Sequence, residues 1–306
     1  MNKKMVKSLS LGFLFGAALI TGVAFIGKDR NDPAIVGEDG RLQYKWYAPQ
    51  VPKNMSFAGE KVPLDRFEIK ERLDRELLVN YYAHGGTLYV LKLSTRVFPT
   101  IEKILKQNGV PDDFKYLCVA ESSLQNPTSP AGAVGYWQFM TATGKQYGLT
   151  INDEIDERYH LEKSTQAACK YLQAAYAKFG SWTAAAASYN CGSGSFSGQS
   201  TFQMSSNYYD LLLPEETNRY VFRILALKQI ISNAANYGFI LTDEDTYKPI
   251  PFVNETVTGS IDNLAQYAIN KGTNYKMLKL MNPWLRDRKL TVRAGDSFVV
   301  QLPAKK

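Results

Sequence analysis

The 306-residue sequence predicts a mainly α-helical protein, with a medium-sized helical domain over residues 63–241 and a small C-terminal α/β unit over residues 250–306. Two observations predict it. Between Pro63 and Ile231, apolar residues recur at helical spacing in one segment after another, with glycine, proline or asparagine at the breaks. After Pro251 the pattern changes to strand, helix, helix, strand: FVNETVTG and SFVVQLP enclose DNLAQYAINKG and YKMLKLMNP. A chain of this length can bury one medium core and one small one.

The N-terminus reads as an export signal. Lys3, Lys4 and Lys7 precede an uncharged run of 20 residues, Ser8 to Gly27, which Lys28, Asp29 and Arg30 follow. At ~1.5 Å per residue the run is about long enough to span a bilayer, and Gly22-Val23-Ala24 offers a small-x-small cleavage site. Residues 1–30 are therefore either a membrane anchor or a removable signal peptide. No cysteine precedes Cys118, which excludes lipid attachment near the signal.

A net charge of +7 favours acidic partners: anionic lipid, cell-wall polymer or nucleic acid. Export, and the lack of a basic motif interleaved with aromatics, argue against nucleic acid. Cys118, Cys169 and Cys191 are an odd number in an exported chain, so at least one stays unpaired within the monomer. Small buried hydrophobes are the default reading, with a Cys118–Cys169 pair as the alternative. None has metal-ligand spacing, and no metal or cofactor is expected.

Residues 31–62 carry prolines and no period, and read as a linker or a wrapped extension. From Pro63, LDRFEIKERLDRELLVNYY reads as a helix that Gly85-Gly86 breaks. A second helix, from Tyr89 to Gln107, stops at Asn108-Gly109, and Pro99 marks a kink or a fresh start within it.

The stretch from Gly109 to Leu149 carries the chemistry. After Pro111-Asp112, Phe114, Leu117, Cys118 and Glu121 fall at i, i+3, i+4 and i+7, so a carboxylate stands where a hydrophobe belongs. Desolvation there penalises the charged form and raises the pKa, as a general acid working near neutrality requires. The alternatives are a buried glutamate satisfied by backbone or arginine, and a helix that ends at Glu121 and releases it to water. Ser122, Ser123, Gly132, Gly135, Tyr136, Trp137 and Gln138 then supply hydroxyls, aromatics and an amide, the groups that pair with the hydroxyls and faces of a sugar.

Asp153 to Arg158 is a charged loop, and His160 after it reads as surface or loop packing; with His84 the only other histidine, a histidine-based centre has little support. A helix with Ala168, Tyr171, Leu172, Ala175 and Phe179 on one face ends at Gly180. Ser181-Trp182 opens an alanine-rich helix that runs to Tyr189, and Asn190 and Gly192 suit its C-cap. GSGSFSGQST from Gly192 reads as a flexible loop on the rim of a cleft. Pro214 precedes a last helix, with Glu215 and Glu216 at its positive end and Tyr220, Ile224, Leu227 and Ile231 on one face.

ESS, GAVGYWQFMTATGKQYGL and SYNCG together resemble the catalytic core of the lytic transglycosylases with the soluble-lytic-transglycosylase-type domain (glycoside hydrolase family 23), of the membrane-bound lytic murein transglycosylase D type. The resemblance implies a lysozyme-like α-helical catalytic domain, its core over residues 109–235, that cleaves the glycan strands of peptidoglycan. It implies Glu121 as the catalytic acid/base, with Ser122 or Ser123 as its neighbour in a Glu-Ser motif. Gly135-Tyr136-Trp137-Gln138 stands for the Gly-Leu-Met-Gln-type motif, which assigns Tyr136 and Gln138 to the cleft. Ser188 to Gly192 stands for Ala-Tyr-Asn-Ala-Gly with Cys191 in place of alanine: Tyr189 brings its hydroxyl near the carboxyl, and Asn190 holds the loop or the sugar. Glu216-Thr217 with Tyr220-Val221 matches a Glu-Thr and Tyr-Val pair, which assigns Glu216 as a carboxylate that contacts substrate or supports groups that do. Asp156-Glu157-Arg158 is kept, but His160 stands where the family has an aspartate.

The C-terminal unit resembles a lysin-motif (LysM) module at its close, Gly295-Asp296 to Leu302-Pro303. Its opening lacks Gly-Asp-Thr-Leu and has Ser260-Ile261-Asp262-Asn263-Leu264 instead, so it reads as a degenerate LysM-like module that either binds glycan or is a packing appendage.

Ordinary glycosidases use two carboxyls ~5 to ~9.5 Å apart. Asp112 and Asp113 precede Glu121 by two helical turns or more, ~12 Å along the axis, which excludes them. Glu154, Asp156 and Glu216 can approach only through tertiary folding. The resemblance implies a mechanism with one residue: Glu121 protonates the oxygen between N-acetylmuramic acid (MurNAc) and N-acetylglucosamine (GlcNAc), then deprotonates the muramyl O6 hydroxyl, which closes onto C1 as a 1,6-anhydro end. Attack by water instead makes the chain a lysozyme-type hydrolase. A fold kept without catalysis makes it a peptidoglycan-binding scaffold, against which the intact Glu121 argues. The expected location is the periplasm or cell envelope, with membrane association if the N-terminal segment is retained.

Overall fold

The structure, a computed structural model, describes residues 46–304 and the strand residues 34–36 and 42–44. The signal-or-anchor segment, residues 1–30, lies outside the described residues; among those described, no helix is long and apolar enough to cross a membrane. The chain divides after Ala48 into two units. In the first, β1 (Ala34–Val36) pairs antiparallel with β2 (Leu42–Tyr44), Ile35 opposite Gln43.

The second unit opens with a small hairpin, β3 (Ser56–Phe57) and β4 (Glu60–Lys61), inside the stretch read as a linker or extension. The hairpin belongs to the helical core. Phe57 and Val62 are fully buried, and Phe57 meets Phe114 edge-on at 5.2 Å. Asp113 accepts the Ala58 amide at 2.7 Å and Lys228 at 2.7 Å, which pins the hairpin from below. Val51 also packs against this core, so residues 51–62 wrap onto the helical domain, the second of the two readings of that stretch. Strands of two residues leave no periodicity in the sequence to find.

α1 (Phe67–Tyr82) buries Ile69, Leu73 and Leu77 at i, i+4 and i+8, and its buried Glu76 pairs with Arg219 at 2.6 Å. α2 (His84–Gln107) takes Gly85 and Gly86 into its first turn and runs through Pro99 without ending. The one backbone bond that proline removes is outweighed by a buried stripe of Val90, Val97, Ile101, Ile104 and Leu105. α3 (Phe114–Ser122) is the short helix that carries Glu121, and α4 (Thr141–Gln146) follows the loop after it.

α5 (Leu161–Phe179) ends at left-handed Gly180 as the sequence predicts. α6 (Trp182–Cys191) is held at its positive end by Glu60. That carboxylate accepts the Ser181 hydroxyl at 2.8 Å, the Trp182 and Thr183 amides at 2.6 and 2.9 Å, and the Thr183 hydroxyl at 2.6 Å. Ala184 to Ala187 are fully buried, and their small side chains let α5 close on α6.

α7 (Ser193–Phe202) occupies the stretch that reads as a flexible loop. Its serines and glycines are poor helix formers, but Phe196 is fully buried against the Phe179 ring at 4.8 Å, and tertiary packing overrides propensity. α8 (Glu215–Ser232) buries Tyr220, Val221, Phe222, Ile224 and Leu225 and packs against α1, α3 and α6.

The C-terminal module has the predicted order: β5 (Phe252–Val257), α9 (Leu264–Asn270), α10 (Tyr275–Met281) and β6 (Phe298–Pro303). β5 and β6 pair antiparallel, Phe252 opposite Pro303 and Val257 opposite Phe298. Asn263 and Asn274 cap the two helices with their side-chain oxygens. Leu264, Ala268, Leu278, Leu285, Leu290 and Val300 form its core, and Ile155 of the helical domain is buried with them.

Candidate active site

α3 brings Glu121 into its last turn, just before the chain turns left-handed at Ser123 and Leu124, with φ of +52° and +58°. Leu117 and Cys118 on the same face are fully buried, and Glu121 is half-buried. The helix end that lets a glutamate reach solvent and the apolar stripe that withholds water thus act on one side chain. The Tyr220 hydroxyl, from α8, donates to Glu121 Oε1. Burial pushes the Glu121 carboxyl up from the ordinary 4.5 to about 7; the Tyr220 hydrogen bond and the Arg223 guanidinium oppose this, and the Glu216 charge adds to it. Burial first, and then the neighbouring carboxylate, hold Tyr220 well above 10, so its hydroxyl remains a donor.

Tyr189 lies near Glu121 but does not bond its carboxyl. Its hydroxyl donates to the Trp137 carbonyl at 2.7 Å, and its ring packs against Tyr171 and Phe139. A buried phenol must find an acceptor, and the loop carbonyl above α6 supplies one. Tyr189 still lies close enough for the Glu121 charge to raise its pKa, after burial. Tyr220 makes the direct contact instead.

Asn190 and Glu216 meet where α6 and α8 converge. Thr217 donates its hydroxyl to Asn190 Oδ1 at 2.8 Å, and Asn190 Nδ2 faces the exposed Glu216 carboxylate at 3.5 Å. The two serines part: Ser122 is buried and donates back to the Cys118 carbonyl at 3.1 Å, while Ser123 is exposed at the left-handed helix end. Only the second is open to a substrate.

The Gly135–Gln138 turn is closed by paired amides, Val134 and Phe139 exchanging bonds of 3.1 Å. Gly135 has φ +89°, and a Cβ there would stand 2.0 Å from the Arg158 carbonyl oxygen, so no other residue fits. Gln138, at φ +50°, donates its side-chain amide to the Gly135 carbonyl at 2.8 Å and the Pro127 carbonyl at 3.1 Å, locking the turn from inside. Trp137, read as a sugar-facing aromatic, is fully buried, and its indole N–H donates to Thr165 at 2.9 Å. Tyr136 is half-buried and lines a cavity of about 450 Å³ with Arg96, His160, Phe252, Met277 and Trp284, of which Glu121 is not a wall. Its backbone carbonyl accepts the Cys118 thiol at 3.3 Å, which ties the turn to α3.

Two side chains behind the turn have partners that the sequence does not show. Arg158 is buried and pairs in bidentate fashion with Asp156, at 2.9 and 2.7 Å. Its remaining nitrogen donates to the Gly132 and Phe139 carbonyls at 3.2 and 3.1 Å, so one guanidinium clamps both ends of the cleft loop. His160, read as surface or loop packing, is half-buried and stacks on Trp284 at 6.0 Å, where burial pushes its pKa down to about 4 and keeps it neutral. Cys118, Cys169 and Cys191 are all free, so the Cys118–Cys169 pair is not formed. Among the described residues, no group of three or more His, Cys, Asp or Glu side chains gathers as a metal site would.

Residues 98–211 match the transglycosylase SLT domain, and residues 254–306 match the soluble lytic transglycosylase C-terminal LysM-like domain. Two curated relatives, the membrane-bound lytic murein transglycosylase D of Escherichia coli K12 and that of Escherichia coli O6:H1, are each 28% identical over 263 residues. The alignment takes in 82% of this chain and 55% of each relative, so the chain spans about half the length of the proteins it matches. A solved structure of an inactive mutant of lytic transglycosylase Slt from Pseudomonas aeruginosa is 19% identical, with a TM-score of 0.37 over 49% of this chain and 26% of that one.

Proposed function

We propose that this chain, which carries a transglycosylase SLT domain followed by a LysM-like domain, is an exported peptidoglycan lytic transglycosylase with Glu121 as its single acid/base. The observation that carries the proposal is the half-buried Glu121 carboxyl, held at a pKa of about 7 and in contact with the Tyr220 hydroxyl. A group with that pKa is protonated often enough to give a proton and ionised often enough to take one back near neutrality.

In the first step protonated Glu121 gives its proton to the oxygen linking C1 of MurNAc to C4 of GlcNAc, and the C1–O bond breaks. The carboxylate left behind is stabilised by Tyr220 and Arg223. In the second step it takes the proton of the C6 hydroxyl as O6 bonds to C1, which forms the 1,6-anhydro ring and restores the acid. No water is consumed. Glu216, whose charge acts on the Glu121 carboxyl, Asn190 beside it, and Ser123, exposed at the end of Glu121's own helix, are assigned to the sugar. Ser122, Gln138 and Tyr189 act through the backbone they hold. Tyr136 serves the cleft through its backbone tie to Cys118.

The N-terminal segment, read as an export signal, supports an address in the periplasm or cell envelope, with peptidoglycan strands as the partner. The relatives' name supports that address, and a retained N-terminal segment would add a membrane anchor. Digestion of purified cell wall followed by mass spectrometry of the products tests the proposal. Anhydro-muropeptides are expected, and Glu121→Gln lowers their release by several orders of magnitude. Reducing-end products would make the chain a hydrolase, with Glu216 as the second carboxyl to examine. The absence of any product would make it a binding scaffold.

A further inference from the structure

One stretch, Glu154 to Tyr159, is bonded on one side to the C-terminal module and on the other to the cleft loop. On the module side, Ile155 is 2% exposed inside the module's own core and forms a β-bridge with Leu285. The Arg286 amide donates to the Glu154 carbonyl at 2.7 Å, and the Asp156 amide donates to the Trp284 carbonyl at 2.9 Å. The Glu154 carboxylate accepts the Thr291 amide at 2.6 Å and its hydroxyl at 3.0 Å, and pairs with Lys289 at 3.1 Å. The Arg286 guanidinium lies over the Tyr159 ring at 4.1 Å.

On the cleft side, Asp156 orients Arg158, whose guanidinium clamps Gly132 and Phe139. The Arg158 carbonyl closes on Gly135 so tightly that only glycine fits. Asn126 donates to the Tyr159 carbonyl at 2.9 Å, and the Tyr159 hydroxyl bonds Thr128 at 2.8 Å. A module that only tethered the enzyme to its substrate would need none of these bonds. A buried aliphatic residue and two backbone bonds shared between the helical domain and the module instead mark a load path, from the module through Ile155 and Asp156 to the turn that carries Gln138.

We propose that the C-terminal module is a positioning element of the cleft: it holds Glu154–Asp156, and through Arg158 it fixes the Gly132–Phe139 loop beside Glu121. Ile155 and Glu154 are positioning residues, since they touch neither Glu121 nor the space above it. The proposal rests on the reading of this cleft as catalytic, yet its structural half is measurable without activity.

The test uses the full chain with Ile155→Ala, and with Glu154→Ala should the first variant fail to fold. Amide hydrogen exchange is followed over residues 134–139, over α6, and over the module. In the variant the Val134, Gly135, Gln138 and Phe139 amides exchange faster by about tenfold or more, while the α6 amides keep their protection. Ile155→Val restores the slow rate. On soluble, uncrosslinked glycan strands kcat falls by about tenfold with KM little changed, because the loop is misplaced while the sugar still binds. Faster exchange confined to residues 252–303, with the 134–139 amides unmoved, overturns the proposal, and so does an unchanged kcat on soluble strands. A wild-type chain that releases no product would sink the catalytic reading and leave the exchange result to decide this one.

Discussion

Replacing Glu121 by glutamine removes a charge and keeps a shape, and the stability of the fold should report it. The folded chain holds the Glu121 carboxyl at about 7 against an ordinary 4.5, so it keeps a proton that the unfolded chain releases. The stability linked to this group is fully present below the unfolded value and is lost as pH rises through the folded one. Above pH 7 the wild type therefore bears the whole penalty of a desolvated carboxylate, on the order of 3 kcal/mol at ~1.4 kcal/mol per pH unit of displacement. Glutamine does not titrate, and its side-chain oxygen still accepts from Tyr220. At pH 8 the variant should be more stable by roughly 2 to 3 kcal/mol, and at pH 4, where both forms are neutral, by almost nothing. In a chain of this size that difference raises Tm by about 5 to 10 °C at the higher pH. Calorimetric melts of both proteins at pH 4 and pH 8 measure it. A variant that gains the same Tm at both values, or loses Tm only at pH 8, would show that Glu121 does not titrate near neutrality.

The charges around Glu121 make opposite predictions for the pH profile of cleavage. Tyr220→Phe removes the hydrogen bond that lowers the carboxyl, so the basic limb of activity, where the acid form is lost, should move to higher pH. Glu216→Gln removes the charge that raises it, and the same limb should move to lower pH; kcat/KM profiles across pH 5 to 9 (about two pH units either side of neutrality) check both. Gly135→Ala drives a methyl group into the Arg158 carbonyl at a positive φ. Chemical denaturation should record a loss of about 3 kcal/mol or more, or an insoluble protein, whereas a loss below about 1 kcal/mol would mean that the loop is not as closely held as described.

What could be read from the sequence was what is local. Glu121 betrayed itself because a carboxylate at i+7 on the stripe of Phe114, Leu117 and Cys118 violates helical patterning within one short segment. The strand-helix-helix-strand order of the C-terminal module and the stop at Gly180 follow from equally short-range patterns. Tyr220 reads in the sequence as part of an apolar face, but its contact with Glu121 spans 99 residues of sequence, and periodicity says which face is buried without saying what lies across from it. A tyrosine on such a face one turn after Glu216 carries a hydroxyl that must find a partner, and that was the available signal.

The remaining misses share a physical cause. The β3–β4 hairpin and α7 each carry an aromatic anchor, Phe57 against Phe114 and Phe196 against Phe179, and a single aromatic in a polar stretch looks incidental until its partner is known. The stretch from Asp153 to Arg158 reads in the sequence only as a charged loop; in the fold Asp156 and Arg158 are buried against each other, and Glu154 faces the C-terminal module. Burying charges is tolerable only when every partner is in place, so such a loop is unstable unless both the module and the cleft turn are present at once. That mutual dependence is what makes the loop a sensitive point of the molecule: a change at Ile155, buried in the module's core, should reach the cleft before it unfolds the domain.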